Sequence, residues 1–510
     1  MIQLETISKF GRSAAVSQTS RSTVNISRAS PRWGWPFGHS RAPRFSKWVA
    51  FASISLYLLM ACATCSAGEA QPSKPNIVFI LFDDLGYGEP PLYRADSGFK
   101  MPTLDRLARE GMRFTDAHTA AAVCTPTRYG VLTGRYPMRI GQFGVLGTYS
   151  PPIIEPERLT VASMLKQRGY HTAVFGKWHL GMQWDASAEA KKSKTGMPVG
   201  TVATEGPTTR GFDEFCGYTH AANIGMVIAQ DKVLTIIEAI AVQPFLAQKI
   251  VAHIDERAKA GGPFFLYVPL CTPHMPHVPA PEFQGKSGTD EYGDWILQGD
   301  TVTGKILDAL ERNHLSTNTL VIVTSDNGAE HRAYPPLRES KRSIYEGGHR
   351  VPFLARWPGK IKPGSTCDDV VCLNDLMATA AELTGAKLSA NAAEDSVSIL
   401  PDLLGTAKAP VREATIHQSM AGDLALRQGP WKLIFKKDGV RELYNLADDL
   451  SERTNVLTAH AEIRARLEKL MESYVARGRS TPGVSQTNQH AISLTGVRNP
   501  KRGGAAVSAE

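Results

Sequence analysis

The chain has 510 residues, enough for a large core in two domains, and an ordinary globular composition of 42% hydrophobic and 21% charged residues. A net charge of +8 and a pI near 9.0 would fit a nucleic-acid or anionic-membrane binder, but +7 of it lies in residues 1–50, where eight Lys and Arg face Glu5 alone. The +1 left for the rest makes no global basic surface, and a nucleic-acid partner is excluded.

That basic stretch runs into an apolar one, Val49 to Ala63, with small residues at Ala61, Ala63 and Ala67. The run is short for a spanning helix, which needs ~20 apolar residues. Residues 1–68 therefore read as a secretory leader with a long basic n-region, and an upstream start-codon misassignment is an alternative. Leu59-Met60-Ala61-Cys62 loosely matches a lipoprotein cleavage site, so Cys62 is a candidate lipid anchor. The expected location is exported: periplasmic, extracellular or membrane-anchored. Of the seven cysteines, Cys62 and Cys65 fall in the leader, and Cys124, Cys216, Cys271, Cys367 and Cys372 show no metal-type spacing. A Cys367–Cys372 bridge stays open.

Asn76–Phe82 is a continuous apolar run of strand length, as a strand buried on both faces requires, and it ends in Asp83-Asp84. Thr103 is expected to cap a helix that runs through Glu110 to Gly111. A loop then becomes a helix at Cys124, with Pro126 in the first turn and Arg128 one turn on, on the same face. A side chain there meets unpaired backbone N–H groups and the positive helix end, which favours anions. Thr160–Arg168 reads as helix, feeding a strand His171–Phe175 that ends in Gly176-Lys177-Trp178-His179. Alternation along an extended segment would point Lys177 and His179 to one side. Gln243–Lys259 is helical by pattern, and Pro263–Val268 is a strand leading to Thr272-Pro273-His274. Helix Asp294–Asn313 leads to strand Thr319–Thr324, which ends in Ser325-Asp326-Asn327-Gly328, and Val351–Trp357 is one more strand.

Strands alternating with helices make a mostly parallel α/β sheet sandwiched by helices, and the ligand site of such a sheet lies at the carboxyl ends of its strands. Around 415–455 short strands follow, then a basic amphipathic helix near Ala459–Arg477. The expected division is a catalytic domain at 73–400, a small domain at 405–480 and a disordered polar tail at 481–510. Three carboxylates and an amide at one sheet edge (Asp83, Asp84, Asp326, Asn327) form an all-oxygen set suited to Ca²⁺ or Mg²⁺.

Cys124-Thr125-Pro126-Thr127-Arg128, followed by Leu132-Thr133-Gly134-Arg135, resembles the sulfatase family in its arylsulfatase branch, which carries C-x-P-x-R and a downstream L-T-G-R. Four further motifs fall in the family's order: the run ending in Asp83-Asp84-Leu85-Gly86-Tyr87-Gly88, Gly176-Lys177-Trp178-His179-Leu180-Gly181, Thr272-Pro273-His274-Met275-Pro276, and Ser325-Asp326-Asn327-Gly328. The resemblance implies an alkaline-phosphatase-like fold, with a small C-terminal domain of antiparallel sheet and packed helix. It implies a sulfuric ester hydrolase acting on a sulfated small molecule or glycan. It also implies that a formylglycine-generating enzyme converts Cys124 to formylglycine, whose hydrated aldehyde is the nucleophile. By the same resemblance Asp83, Asp84, Asp326, Asn327 and the residue at 124 hold the metal, and Arg128, Lys177 and Lys341 neutralise the sulfate. His274 serves the leaving oxygen, and His179 takes a proton from the second hydroxyl. Glu89 departs from the family's Asp at a position that binds no metal.

Two other readings remain at this level. Phosphoryl and phosphonate hydrolases share the fold and metal edge, and an inactive binder of sulfated glycans would keep the pocket without turnover. Loops over the strand ends set the substrate: 144–152, 185–210, 220–231 and 330–338. Trp184, Arg210, His220, Asn223, His331 and Arg332 are the candidate contacts, and His277 is read as a pocket-lining residue.

Overall fold

The computed structural model describes residue 34, residues 74–193 and residues 196–495. The expected leader with its anchor at Cys62, Gly34 apart, and residues 194–195 and 496–510 lie outside the described residues.

Ten strands make one sheet. In chain order they are β1 (Asn76–Asp83), β2 (Met112–Phe114), β3 (His171–Lys177), β4 (Glu214–Tyr218), β5 (Met226–Ala229), β6 (Lys232–Ile236), β7 (Phe264–Pro273), β8 (Thr319–Ser325), β9 (Phe353–Arg356) and β10 (Ser365–Cys367). Their spatial order is β10-β2-β9-β8-β1-β7-β3-β4-β5-β6. The central run from β8 to β4 is parallel, and β9 and the β5–β6 hairpin are antiparallel additions. The sheet is thus mixed and mostly parallel, as expected.

The continuous apolar sequence of β1 follows from burial on both faces. Ile77, Phe79 and Leu81 enter one core with Tyr129 and Leu132 of α2 (Cys124–Thr133) and Leu165 of α3 (Val161–Gln167). Val78, Ile80 and Phe82 enter the other, with Leu104 and Leu107 of α1 (Pro102–Glu110), Ile250 of α4 (Ala239–Ala260) and Trp295 of α5 (Glu291–Arg312). Helix α1 begins one residue before the expected cap. Asp300 of α5 takes the capping role instead, accepting from the backbone N–H of Thr103 and Leu104 at 2.9 and 3.0 Å.

A second sheet of β11 (Thr415–Gln418), β12 (Leu424–Gln428), β13 (Trp431–Phe435) and β14 (Arg441–Asn445) is antiparallel throughout. Leu467, Met471 and Tyr474 of α6 (Ala461–Ala476) pack on it in a core shared with Tyr136 and Met138 of the larger part.

The stretch 481–495 departs from the expected disorder. Thr481 Oγ1 donates to Glu394 O (2.9 Å), and the backbone N–H groups of Gln489 and His490 donate to Arg139 O at 2.8 and 3.0 Å. Low apolar periodicity hid a segment held by backbone hydrogen bonds. Cys367 and Cys372 are free thiols rather than a bridge, with Cys372 buried in the core of the second sheet.

Candidate active site

Parallel strands bring their carboxyl ends to one edge, and β1, β3, β7 and β8 deliver the ionisable residues there. The chain must turn sharply after each strand. Asp84 and His179 do so with φ of 71° and 53°, a left-handed conformation uncommon for non-glycine residues. Gly176 has φ 134°, and a Cβ on it would lie 1.9 Å from Pro269 O, so only glycine lets β3 lie against β7 just before Lys177. The turn at His179, rather than strand alternation, carries its ring to the site.

Arg128 Nη2 donates to Asp326 Oδ2 at 2.6 Å and lies 3.5 Å from Asp83 Oδ1, while its Nη1 holds Lys177 O at 2.9 Å. Lys177 Nζ donates to Asp83 Oδ2, and Lys341 Nζ to Asp84 Oδ2, both at 2.6 Å. Asn327 Nδ2 donates to Asp84 Oδ1 at 2.7 Å, and Asp326 Oδ1 accepts the Asp84 backbone N–H at 3.1 Å. Asp83, Asp84, Asp326, Asn327, Arg128, Lys177 and Lys341 are all buried and meet within this one network. Burial opposes ionisation of Asp83, but Lys177, His274, Arg128 and Lys341 hold its carboxyl well below the usual range. Burial and the Asp83 charge push Asp326 up.

Cys124 is the first residue of α2, with its Sγ within 4.8 Å of carboxylate oxygens of Asp83 and Asp326. Burial pushes its thiol up despite Lys177 and Lys341. His179 Nε2 donates to Leu146 O at 2.9 Å, leaving Nδ1 buried and without a partner among the described residues. Burial and then Lys177 hold that imidazole well below its ordinary range, so it is neutral with a bare nitrogen. His274 Nδ1 donates to Met275 O at 2.5 Å, and its Nε2 lies 3.8 Å from Asp84 Oδ2.

A hard cation fits the quartet. Asp83 Oδ1 and Asn327 Oδ1 are buried without a hydrogen-bond partner among the described residues, and the donor set is all oxygen. Asp83, Asp84, Asp326 and Asn327 would hold the ion.

The family model described as sulfatase matches residues 75–386, and that described as the C-terminal part of N-sulphoglucosamine sulphohydrolase matches 330–477. The chain belongs to the sulfatase family. It is 32% identical over 487 residues to an N-acetylgalactosamine-6-O-sulfatase of Bacteroides thetaiotaomicron, covering 79% of this chain and 94% of that one. It is 34% identical over 440 residues to human arylsulfatase A, covering 79% and 82%. A solved Bacteroides thetaiotaomicron structure from work on glycosaminoglycan metabolism superposes with a TM-score of 0.68 at 30% identity, over 79% of this chain and 99% of that one. Ps i-CgsB, solved with a neocarrahexaose, gives 0.70 at 25% identity, over 81% and 96%. The chain is therefore a sulfuric ester hydrolase with the sulfatase fold.

Around this sulfatase centre the predicted contacts divide. His220 packs edge-on to His179 with centroids 4.7 Å apart, and burial with Lys177 and His274 pushes it down to about 4. His331 and Arg332 line a cavity of about 350 Å³ with Met275, His277 and Tyr292 that opens onto Asp84. Asn223 Oδ1 accepts from Thr148 Oγ1 at 3.0 Å. Trp184 and Arg210 are not contacts. Trp184 is buried, and the Arg210 guanidinium is buried against Ile154 O (2.8 Å) and Glu205. Aromatic and cationic residues in a loop resemble ligand contacts whether they face out or in. The stretch 220–231 is likewise no free loop, because its second half is strand β5.

Three positioning residues carried little sequence signal. Thr125 Oγ1 donates to His179 O and accepts from Leu146 N–H, both at 3.1 Å, fixing the strand-end turn. Glu330 Oε2 accepts from Lys341 Nζ at 3.0 Å. Buried Glu89 accepts from the hydroxyls of Tyr292 and Tyr334, the latter at 2.8 Å, and from Gly86 N–H at 2.6 Å. A short acid or hydroxyl in a polar loop reads as solvated until a partner distant in sequence is known.

Proposed function

We propose that the protein is an exported sulfatase that releases inorganic sulfate from a sulfated sugar, using formylglycine made from Cys124 and Ca²⁺, with Mg²⁺ as the alternative ion. The observation that carries the reading is the placing of Cys124 at a helix N-terminus, among Lys177, Lys341, Asp83 and Asp326. Its thiol is pushed up, so it is a poor thiolate at neutral pH, whereas an aldehyde hydrate at the same position has no such need. A bound metal ion would supply positive charge beside the ester's sulfate oxygens. Arg128, Lys177 and Lys341 add fixed cations that need not reorganise as charge develops on the leaving group. His274 keeps Nδ1–H on Met275 O and presents Nε2 to the site; it gives a proton to the leaving oxygen only as the doubly protonated imidazolium, which Asp83 and Asp84 favour against burial and Lys177. His179, with Nε2 on Leu146 O, presents the bare Nδ1 that takes a proton as sulfate is expelled.

The sugar substrate is supported by the relatives named for N-acetylgalactosamine sulfate and by the neocarrahexaose complex, together with a polar mouth formed by His277, His331 and Arg332. Maturation needs a formylglycine-generating enzyme as partner. Export is supported by the basic and apolar stretches of residues 1–68.

The test is the mass of the tryptic peptide Phe114–Arg128 from protein made in its own organism, paired with sulfate release from a sulfated N-acetylhexosamine. An aldehyde mass, with turnover abolished in Cys124→Ala, is the expected result. An unmodified thiol in active enzyme, or aryl phosphate cleaved faster than aryl sulfate, would overturn it.

A further inference from the structure

Cys367 ends β10, the edge strand of the large sheet, and is half-buried. Its Sγ, one carboxylate oxygen of Asp369 and one of Asp402 all lie within 4.8 Å of one another. Asp402, from the single helical turn Leu400–Leu403, is 4% exposed, and both its oxygens are buried with no hydrogen-bond partner among the described residues. A buried carboxylate normally collects backbone N–H groups or a cation. Neighbouring acids show the contrast. Asp368 Oδ1 accepts from Thr115 Oγ1 at 2.7 Å. Buried Asp375 accepts the backbone N–H groups of Cys372 and Val397 at 2.9 and 2.8 Å and is paired with Arg412.

The charged groups acting on this corner are all acids. Asp369 and Asp375 face Asp402, and Asp402, Asp369 and Asp368 face Cys367. Three anionic ligands converging without a compensating cation are unfavourable unless a cation joins them or they stay protonated. A thiolate with two carboxylates is a borderline-soft set that suits Zn²⁺ over Ca²⁺ or Mg²⁺. Zn–S bonds near ~2.3 Å and Zn–O bonds near ~2.1 Å put the ligand atoms of a tetrahedron about 3.5 Å apart, so side-chain rotation from within 4.8 Å closes the set, with a water completing it. The place differs from the catalytic quartet, which offers only oxygen and lies on central strands.

We propose that Cys367, Asp369 and Asp402 form a Zn²⁺ site that staples the edge strand β10 to the turn Leu400–Leu403. Binding releases the thiol proton and any proton on Asp402, so affinity rises with pH. The site is structural, because it lies at the sheet edge away from the ionisable strand ends.

The probe is Co²⁺, and then Zn²⁺, added to the full, calcium-loaded enzyme. One Co²⁺ per chain should give a thiolate-to-cobalt charge-transfer band that Zn²⁺ abolishes and that Cys367→Ser lacks. Excess Zn²⁺ should raise the unfolding midpoint of the wild type by a few degrees, as binding at about 100 times Kd does, and leave Cys367→Ser and Asp402→Asn unshifted. No thiolate band, a band surviving in Cys367→Ser, or equal Zn²⁺ shifts in wild type and variants would each overturn the site. Cys367→Ser alters a half-buried edge position, so it carries the test even if Asp402→Asn folds poorly.

Discussion

Lys177 joins a buried ion pair to the proposed sulfate site. Its ammonium is fully buried, 2.6 Å from Asp83, and is the largest of the cationic influences that keep that acid ionised. Lys177→Met keeps the volume and removes the charge. We expect kcat for sulfate release to fall on the order of 10²- to 10³-fold, the usual cost of losing one preorganised charge, while the fold survives. A loss below about tenfold would remove Lys177 from the sulfate site. Lys177 was legible because it stands in Gly176-Lys177-Trp178-His179. Lys341 was legible only through the family resemblance, and the structure separates it from its neighbour. Lys341 reaches Asp84, whereas Arg342 turns to Glu330 with φ 78°. Residues within a contiguous motif could be read from sequence, while those whose role depends on a distant partner, such as Glu89 and Glu330, could not.

The β strands were legible because burial on both faces forces apolar runs that end where the polar site begins. Loops were not, since a loop's fold is set by what it lies against. The segment 330–338 is the instructive one. Tyr334 from it and Tyr292 from α5 both donate to Glu89, and Arg332 stacks over the Tyr292 ring at 4.1 Å. Glu89, five residues beyond Asp84, thereby holds the loop that walls the substrate cavity. In Glu89→Gln the amide can accept from the tyrosines only by turning its NH₂ against Gly86 N–H, leaving one donor unmatched. That mismatch should cost about 1–3 kcal/mol of stability. Because the loop lines the cavity that opens onto Asp84 and the strand ends stay in place, KM should rise several-fold with kcat within about a factor of three. Steady-state kinetics on a sulfated sugar decide it, and a large kcat loss at unchanged KM would show that Glu89 acts on the chemistry instead.

The two sheets meet at a buried histidine cluster that no contiguous motif signals, since its members are far apart in the chain. Lys432 Nζ of β13 donates to His349 Nε2 at 2.9 Å, His349 Nδ1 donates to His118 Nδ1 at 3.1 Å, and His118 Nε2 donates to Asp116 at 2.6 Å. His417 of β11 stacks on His349 at 4.0 Å and 6°, its Nδ1 donating to Thr119 O at 2.8 Å. Parallel rings this close cannot both point a nitrogen at one ion, so the cluster is a neutral relay rather than a metal site. Glu346, Glu452, Arg350 and Arg427 complete the charges facing it. Burial depresses all three histidines, reinforced by His417 and Lys432 at His349 and by His118 and Lys432 at His417. The folded state therefore refuses protons that the unfolded chain accepts near pH ~6.5, and stability is lost as pH falls below that value, by up to about 1.4 kcal/mol per pH unit for each histidine. Glu452, pushed up by burial, opposes this over part of the range, and the depressed Asp116 and Glu346 add to the loss only at lower pH. With calcium saturating, the unfolding midpoint should drop between pH 7.5 and 5.5. His417→Asn, whose amide can still donate to Thr119 O but takes up no proton in this range, should show a smaller drop. An unchanged slope in that variant would mean that the acid sensitivity arises at another place in the molecule.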